Sequence, residues 1–357
     1  MSKRIKIGKN IISKKSKTYF VADIGANWDG SIKRAKKLIK LCAEAGANAA
    51  KFQNFNAETI VSDIGFKNLS KSIKTHQSKW KESVFNVYKK ASLPLNWTLE
   101  LYEECQKYNI DYFTSPYDLD QLKYLSAFSS AWKIGSGDIT WSEMLTKLSK
   151  YKKPIMIASG ASNLNEVKRA VNLIKKNNQN IILMQCNTNY TGNNDNFNFI
   201  NLNVLKLYHK IFPNLILGLS DHTKGHTTVI GAVSLGAKVI EKHFTDDNKR
   251  IGPDHNFAMD PITWNLMVEK TRELENSLGD GIKKVEKNEI QSLSVQRRSI
   301  RANVNIKKNK KIKKQDLIML RPISKNGLDP FQIKNVIGKK IKRDLKKGEE
   351  IEKKDLE

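Results

Sequence analysis

Two histidines close two successive aliphatic runs: His222 ends LILGLSDH and His243 ends AKVIEKH. Neutral imidazole is the commonest metal ligand, so two rings leaving the ends of neighbouring strands could share a divalent ion. That pair makes the sequence worth reading as a metal-assisted enzyme. A lone histidine at a strand end is more often a hydrogen-bonded side chain, but here the polar ends recur along the chain. Asp23, Lys51 and Gln53, Thr114 and Ser115, Lys133 and Ser136, Ser159, Asn187 with Thr188 and Tyr190, Ser220 with Asp221, and Glu241 each close an apolar run. Lys51 and Lys133 could be solvated in so lysine-rich a chain, yet both are embedded in apolar strand ends. Cys186 also lies at a strand end. With no base beside it in the sequence, it is read as buried and inert.

Eight apolar runs must position these groups: 19–25, 47–53, 110–116, 131–136, 153–160, 181–187, 215–222 and 237–243. Amphipathic helical patterns alternate with them, among them 32–46, 95–109, 163–176 and 226–236, with His226 at the start of the last. Gly46, Asn109 and Gly236 are placed to close three of these helices in the left-handed conformation. Eight strands alternating with helices predict a (β/α)8 TIM barrel, a fold of ~250 residues that keeps its chemistry on the C-terminal rim. An open doubly wound sheet alternates in the same way, but no GxGxxG turn follows the first strand. We assign residues 1–280 to the barrel, 281–296 to a linker and 297–357 to a small β-rich domain. In that last part KKNKKIKKQDL and KKGEEIEKKDL look like two copies of one element, suggesting a pseudo-symmetric β-clip.

The 357 residues carry a net charge of +27, which at first suggests nucleic acid. The lysines, however, are scattered through tail, helices and loops without forming a patch, which argues against nucleic-acid binding. The three cysteines show no CxxC or disulfide spacing, as expected for a reducing cytoplasm. The basic N-terminus lacks the apolar stretch of a signal peptide, and no run of ~18 apolar residues suggests a membrane span.

Taken in order, IGANWDG (24–30), AKFQ (50–53), SPYD (115–118), WKIGSGD (132–138), GLSDHT (218–223), EKHFTDD (241–247), GPDH (252–255) and LRP (320–322) resemble the sialic acid synthase family. That family includes the neuraminate, legionaminate and pseudaminate synthases, and the resemblance spans nearly the whole chain. It implies a barrel followed by an antifreeze-like (SAF) domain and a domain-swapped homodimer. It also implies condensation of phosphoenolpyruvate with an N-acetylated mannose-type sugar, N-acetylmannosamine first and a 2,4-diacetamido-trideoxy hexose as the alternative. The matched positions assign phosphoenolpyruvate to Lys51, Lys133, Ser115, Ser136, Ser159, Thr188 and Ser220. They assign the sugar to Gln53, Tyr190, Glu241, Asp254 and, from the partner's small domain, Arg321. His222 and His243 would hold the metal, Mn2+ first and Mg2+ or Co2+ next, leaving further positions to water and substrate.

Three departures stand out. Asp23 replaces the family's usual glutamate as candidate acid or base, and Trp28 replaces a usual histidine, which would alter the rim near the sugar. At 185–190 the chain reads QCNTNY where HCT-like runs are commoner, so Asn187 or Asn189 could share the work of Thr188. Trp28, Trp132 and Trp141 are otherwise read as packing residues. Two other readings compete: a synthase of seven- or eight-carbon keto acids from phosphorylated sugars, disfavoured by the small C-terminal domain, and a basic carbohydrate- or nucleic-acid-binding barrel.

Overall fold

A hairpin, β1 (Arg4–Ile7) and β2 (Asn10–Ser13), precedes eight parallel strands in the computed structural model, which describes residues 3–69, 77 and 80–357. The strands are β3 (Tyr19–Asp23), β4 (Ala49–Asn54), β5 (Asp111–Pro116), β6 (Trp132–Ile134), β7 (Ile155–Ala158), β8 (Ile181–Cys186), β9 (Ile216–Asp221) and β10 (Ala237–His243). They pair in sequence order and close where β10 meets β3, so each aliphatic run supplies one barrel strand.

Helices α1 (Ile32–Glu44), α2 (Ala57–Ile60), α3 (Asp63–Lys67), α4 (Val84–Ala91), α5 (Thr98–Lys107), α6 (Leu122–Leu125), α7 (Ser142–Lys150), α8 (Leu164–Lys175), α9 (Val204–Ile211), α10 (Thr227–Ser234) and α11 (Pro261–Ser277) follow the strands. Their sequences explain their limits. In α1 the buried positions Ala35, Leu38, Ile39 and Cys42 recur at helical spacing, and Ser31 caps the first turn by accepting from the Arg34 amide. A capping box of Asn163 and Glu166 starts α8. Gly46, Asn109 and Gly236 do adopt positive φ where their helices stop.

Two features escaped the sequence. Ile5, Ile7 and Ile12 of the hairpin pack with Tyr19, Val21, Ala49, Phe113 and Ile216, inward-facing residues of the strands, and so close the end of the barrel opposite the chemistry. The segment carrying α2, α3 and α4 is an insertion between β4 and α5, where no element was expected. No described helix is long and apolar enough to cross a membrane.

The chain divides into two units, Met1–Gly279 and Asp280–Glu357. The second contains α12 (Ile290–Gln296), no residue of which is buried, and the antiparallel pair β11 (Ser299–Ala302) and β12 (Leu317–Leu320). Residues 281–296, read as linker, group with this unit, as does Asp280. Its core of Ile300, Ala302, Ile306, Ile312, Val336, Ile341, Leu345 and Ile351 is built twice over. Ile306 and Leu345 exchange both backbone hydrogen bonds at 2.8 Å, as residues astride a two-fold axis would. On either side the bonds repeat in reciprocal pairs: Ile312 to Lys339 matches Ile351 to Ile300, and Asn303 to Asp316 matches Lys342 to Asp355. The two lysine-rich copies seen in the sequence are these halves.

Candidate active site

Strand register brings the polar ends together. Asp23 is paired with His243 on one side and with Lys51 on the other; Glu241 is paired with Ser220, and Gln53 with Ser115. Because side chains alternate along a strand, Lys51 with Gln53, and Glu241 with His243, point the same way. The intervening Lys242 turns outward and forms a buried ion pair with Asp221, 2.5 Å away, behind the two histidines.

A chain of buried charges results. Lys51 Nζ lies 2.6 Å from Asp23 and 3.9 Å from Glu241, and Lys133 Nζ lies 2.7 Å from Glu241. Ser220 donates to Glu241 at 3.0 Å, Gln53 to Asp23 at 3.2 Å, and Lys51 to Ser115 at 3.3 Å. Burial alone would raise the pKa of Asp23, but Lys51, His243 and Lys133 outweigh it and bring it to about 2. Glu241 is likewise pushed upward by burial and pulled below its ordinary value by Lys133 and Lys51. Burial opposes the charge on Lys51, yet Asp23 and Glu241 raise its pKa. Asp23 and Glu241 are thus held as carboxylates, and Lys51 as an ammonium, at neutral pH.

The histidines stand with ring centroids 5.5 Å apart. The Nδ1 of His222 is 3.0 Å from the carbonyl of Asn187, and its ring also meets the Cys186 thiol. His243 Nε2 is 3.5 Å from Asp23, and its Nδ1 is 3.9 Å from Asp254. Tyr190 stands edge-on to His222, with Phe257 edge-on to His243. Asp254 accepts the Ala26 amide at 3.0 Å. Gly25, at φ +51°, makes this approach possible, since a Cβ there would come within 2.5 Å of the Asp254 carboxylate.

Ser136 accepts the Gly160 amide at 3.0 Å, and a Cβ on Gly160 would collide with Thr188 Oγ1 and Ser136 Oγ. The backbone therefore approaches closely here, and the Gly160 amide, by donating to Ser136, fixes the hydroxyl that Ser136 presents to the cavity. Cys186, expected to be inert, is in contact here: burial raises its pKa, but hydrogen bonds with His222 and Ser136 bring it below the usual thiol value. Asn187 and Asn189 are occupied elsewhere, Asn187 donating to Phe199 and Asn189 accepting from Thr191.

Asp23, Lys51, Gln53, Ser115, Lys133, Ser136, Tyr190, Ser220, His222, Glu241, His243 and Asp254 line one cavity of about 200 Å³. Three predicted residues do not line it. Ser159 spends its hydroxyl between the Met184 carbonyl, 3.0 Å away, and Tyr208, 2.9 Å away. Thr188 is packed against Gly160 just behind the surface, and Arg321 lies exposed in the second unit. Trp28, expected to reshape the rim, is instead buried edge-on against Trp97 in the core, as its packing reading required.

The unforeseen insertion supplies a mostly apolar stretch of wall, Phe55, Ile60, Trp80, Val87, Tyr88 and Ala91, with Gln77 as its polar member. On the floor, two buried polar atoms have no hydrogen-bond partner among the described residues: Glu241 Oε2 and His243 Nδ1. Buried polar groups are nearly always satisfied in native proteins, so their convergence here marks a place for a polar ligand. Among the described residues no group of three or more His, Cys, Asp or Glu side chains is disposed to hold a metal ion. A closed structural zinc site is therefore not formed by them, whereas the paired imidazoles and the orphaned His243 nitrogen fit an ion completed by water or substrate.

Comparison with known proteins agrees with this geometry. Residues 38–283 match the NeuB family model, and residues 297–357 match the SAF domain model. The N,N'-diacetyllegionaminic acid synthase of Campylobacter jejuni is 35% identical over 94% of this chain and 99% of its own. The human N-acetylneuraminate-9-phosphate synthase is 29% identical over 90% of this chain and 88% of its own. Among solved structures, the N-acetylneuraminic acid synthetase of Leptospira borgpetersenii superposes with a TM-score of 0.71 at 27% identity, over 82% of this chain and 95% of that one.

Proposed function

Because this chain belongs to the NeuB family and is an enzyme of the sialic acid synthase type, we propose that it condenses phosphoenolpyruvate with an N-acetylated mannose-type sugar. The products would be phosphate and a nine-carbon keto acid. The observation that carries this is the cavity floor, where lysines, hydroxyls and unsatisfied polar atoms converge beside two imidazoles.

Phosphoenolpyruvate carries a phosphate and a carboxylate. Charge-assisted hydrogen bonds to Lys51 and Lys133, with the hydroxyls of Ser115, Ser136 and Ser220, suit both. Its arrival competes with Asp23 and Glu241 for the lysines, so binding loosens an ion network the protein keeps closed at rest. Its C3 would then form a carbon–carbon bond to the aldehyde of the open-chain sugar, water would add at C2, and phosphate would leave by C–O cleavage. Asp23, held ionised, can accept a proton but not donate one; we assign it as the base for the water. His222 and His243 would hold a divalent ion, Mn2+ first, which supplies Lewis-acid polarisation of the sugar carbonyl.

Gln53, Tyr190, Glu241 and Asp254 form the sugar side. N-acetylmannosamine is the acceptor first suggested by the sequence. The apolar wall of Phe55, Val87 and Tyr88 instead favours a 2,4-diacetamido-trideoxy hexose, which has fewer hydroxyls to satisfy and more methyl surface to bury. The likeness to a diacetyllegionaminic acid synthase supports the same choice. The SAF domain of one copy would cap the barrel of a second in a cytoplasmic swapped dimer, bringing Arg321 to the acetamido group. Comparing kcat/KM for the two sugars tests the choice. A preference of about tenfold or more for the trideoxy sugar is expected from one or two pocket groups, and the reverse preference contradicts it.

A further inference from the structure

One buried titratable group takes no part in this scheme. His255 is fully buried, with Nδ1 2.7 Å from Thr245 Oγ1 and Nε2 2.9 Å from Asp29. A carboxylate can only accept, so Nε2 carries the proton. Asp29 sits in the turn after the first barrel strand at φ +49°, a left-handed conformation that aspartate tolerates better than most residues. Besides His255 it meets Arg250 at 2.7 Å and Arg34 at 3.1 Å.

These contacts join two loops. One, residues 24–31, follows Asp23; the other, residues 244–259, follows His243. Asn27 donates to the Phe244 carbonyl at 2.9 Å, and Arg34 pairs with Asp246. Asp254 stands between them, beside His255 in sequence, with its carboxylate on the Ala26 amide and facing His243. Its position in the cavity therefore depends on how firmly the second loop is held to the first. Asp29 is the anchor on one side of it through Arg250, and on the other through His255.

We infer that Asp29 and His255 are positioning residues for the acceptor: their hydrogen bond clamps the loop after His243 and aims Asp254 into the cavity. The inference rests on Asp254 as a sugar-binding residue.

The test uses the full-length enzyme. Asp29→Gly removes the carboxylate at a backbone conformation glycine accepts, Asp29→Asn retains an acceptor for His255, and His255→Ala removes the partner. Losing a hydrogen bond to a charged group predicts an acceptor KM raised about 10- to 100-fold in Asp29→Gly, with the KM for phosphoenolpyruvate within about twofold. Asp29→Asn should recover part of the loss. Independently of turnover, the Ala26 amide should exchange with deuterium faster in Asp29→Gly and His255→Ala than in the wild type. Both KM values rising together, or an unchanged acceptor KM with an unchanged Ala26 amide, would overturn the clamp. Asp254→Ala separates the two failures. An unchanged acceptor KM in that variant sinks the reading of Asp254. A raised one there, beside an unchanged one in Asp29→Gly, sinks the clamp alone.

Discussion

On the floor of the cavity, polar side chains leave strand ends whose register decides which groups meet; on its wall, Phe55, Val87 and Tyr88 arrive from an insertion that no strand dictates. The floor joins opposite charges that are buried, so its geometry is enforced by the cost of leaving any one charge alone. The wall is held by ring contacts such as Phe55 with Tyr88, centroids 5.5 Å apart, which tolerate substitution. Reaction chemistry is thus assigned to the rigid part and choice of acceptor to the adaptable one.

The comparison breaks most readily at Lys133. Lys133→Met leaves Glu241 buried with Ser220 and a lysine 3.9 Å away. It should cost about 3–5 kcal/mol in urea unfolding at neutral pH and abolish turnover. Adding Glu241→Gln should recover most of the stability and none of the activity. If the single variant unfolds like wild type, the floor is not locked by charge.

Acid comes next. The folded-state pKa of Asp23 lies below its unfolded value, so its stabilisation is complete above the unfolded pKa of ~3.9 and is lost as pH falls from there toward about 2. The share of this one group is roughly 2–3 kcal/mol. Asp23→Asn should flatten the pH dependence of urea unfolding between pH 5 and 2; an unchanged slope would remove Asp23 from the ion network.

A smaller effect is expected from the wall. Val87→Ser should change stability little and raise the acceptor KM by an amount equivalent to about 1–3 kcal/mol, leaving the KM for phosphoenolpyruvate unaltered. Equal changes in both constants would mean that wall and floor are not separate.

The same contrast explains how much was legible. Asp23, Lys51, Lys133, Glu241 and the two histidines were readable because a strand is a short run with a definite end, and barrels place chemistry at that end. The doubled C-terminal unit showed as a repeat because each half must bury the same isoleucine and cap the same turn. The direction of a hydroxyl was not legible: Ser159 ends its strand like the others, but Tyr208, from a distant helix, captures it. Nor was the wall, since α2 and α3 are too short to carry a periodic pattern. The hairpin was hidden for a related reason, its strands RIKI and NIIS running to only four residues each. His255 could be placed only by seeing Asp29, far off in sequence, beside it.

The most direct test of the central claim is to incubate the purified enzyme with phosphoenolpyruvate and Mn2+, with and without EDTA, against N-acetylmannosamine and the 2,4-diacetamido-trideoxy hexoses, following phosphate and product mass. Phosphate release that needs both substrates and the metal, with a nine-carbon acid formed fastest from a trideoxy sugar, is the predicted result. No product from any of these sugars with a folded enzyme, or undiminished turnover in His243→Ala, would contradict it.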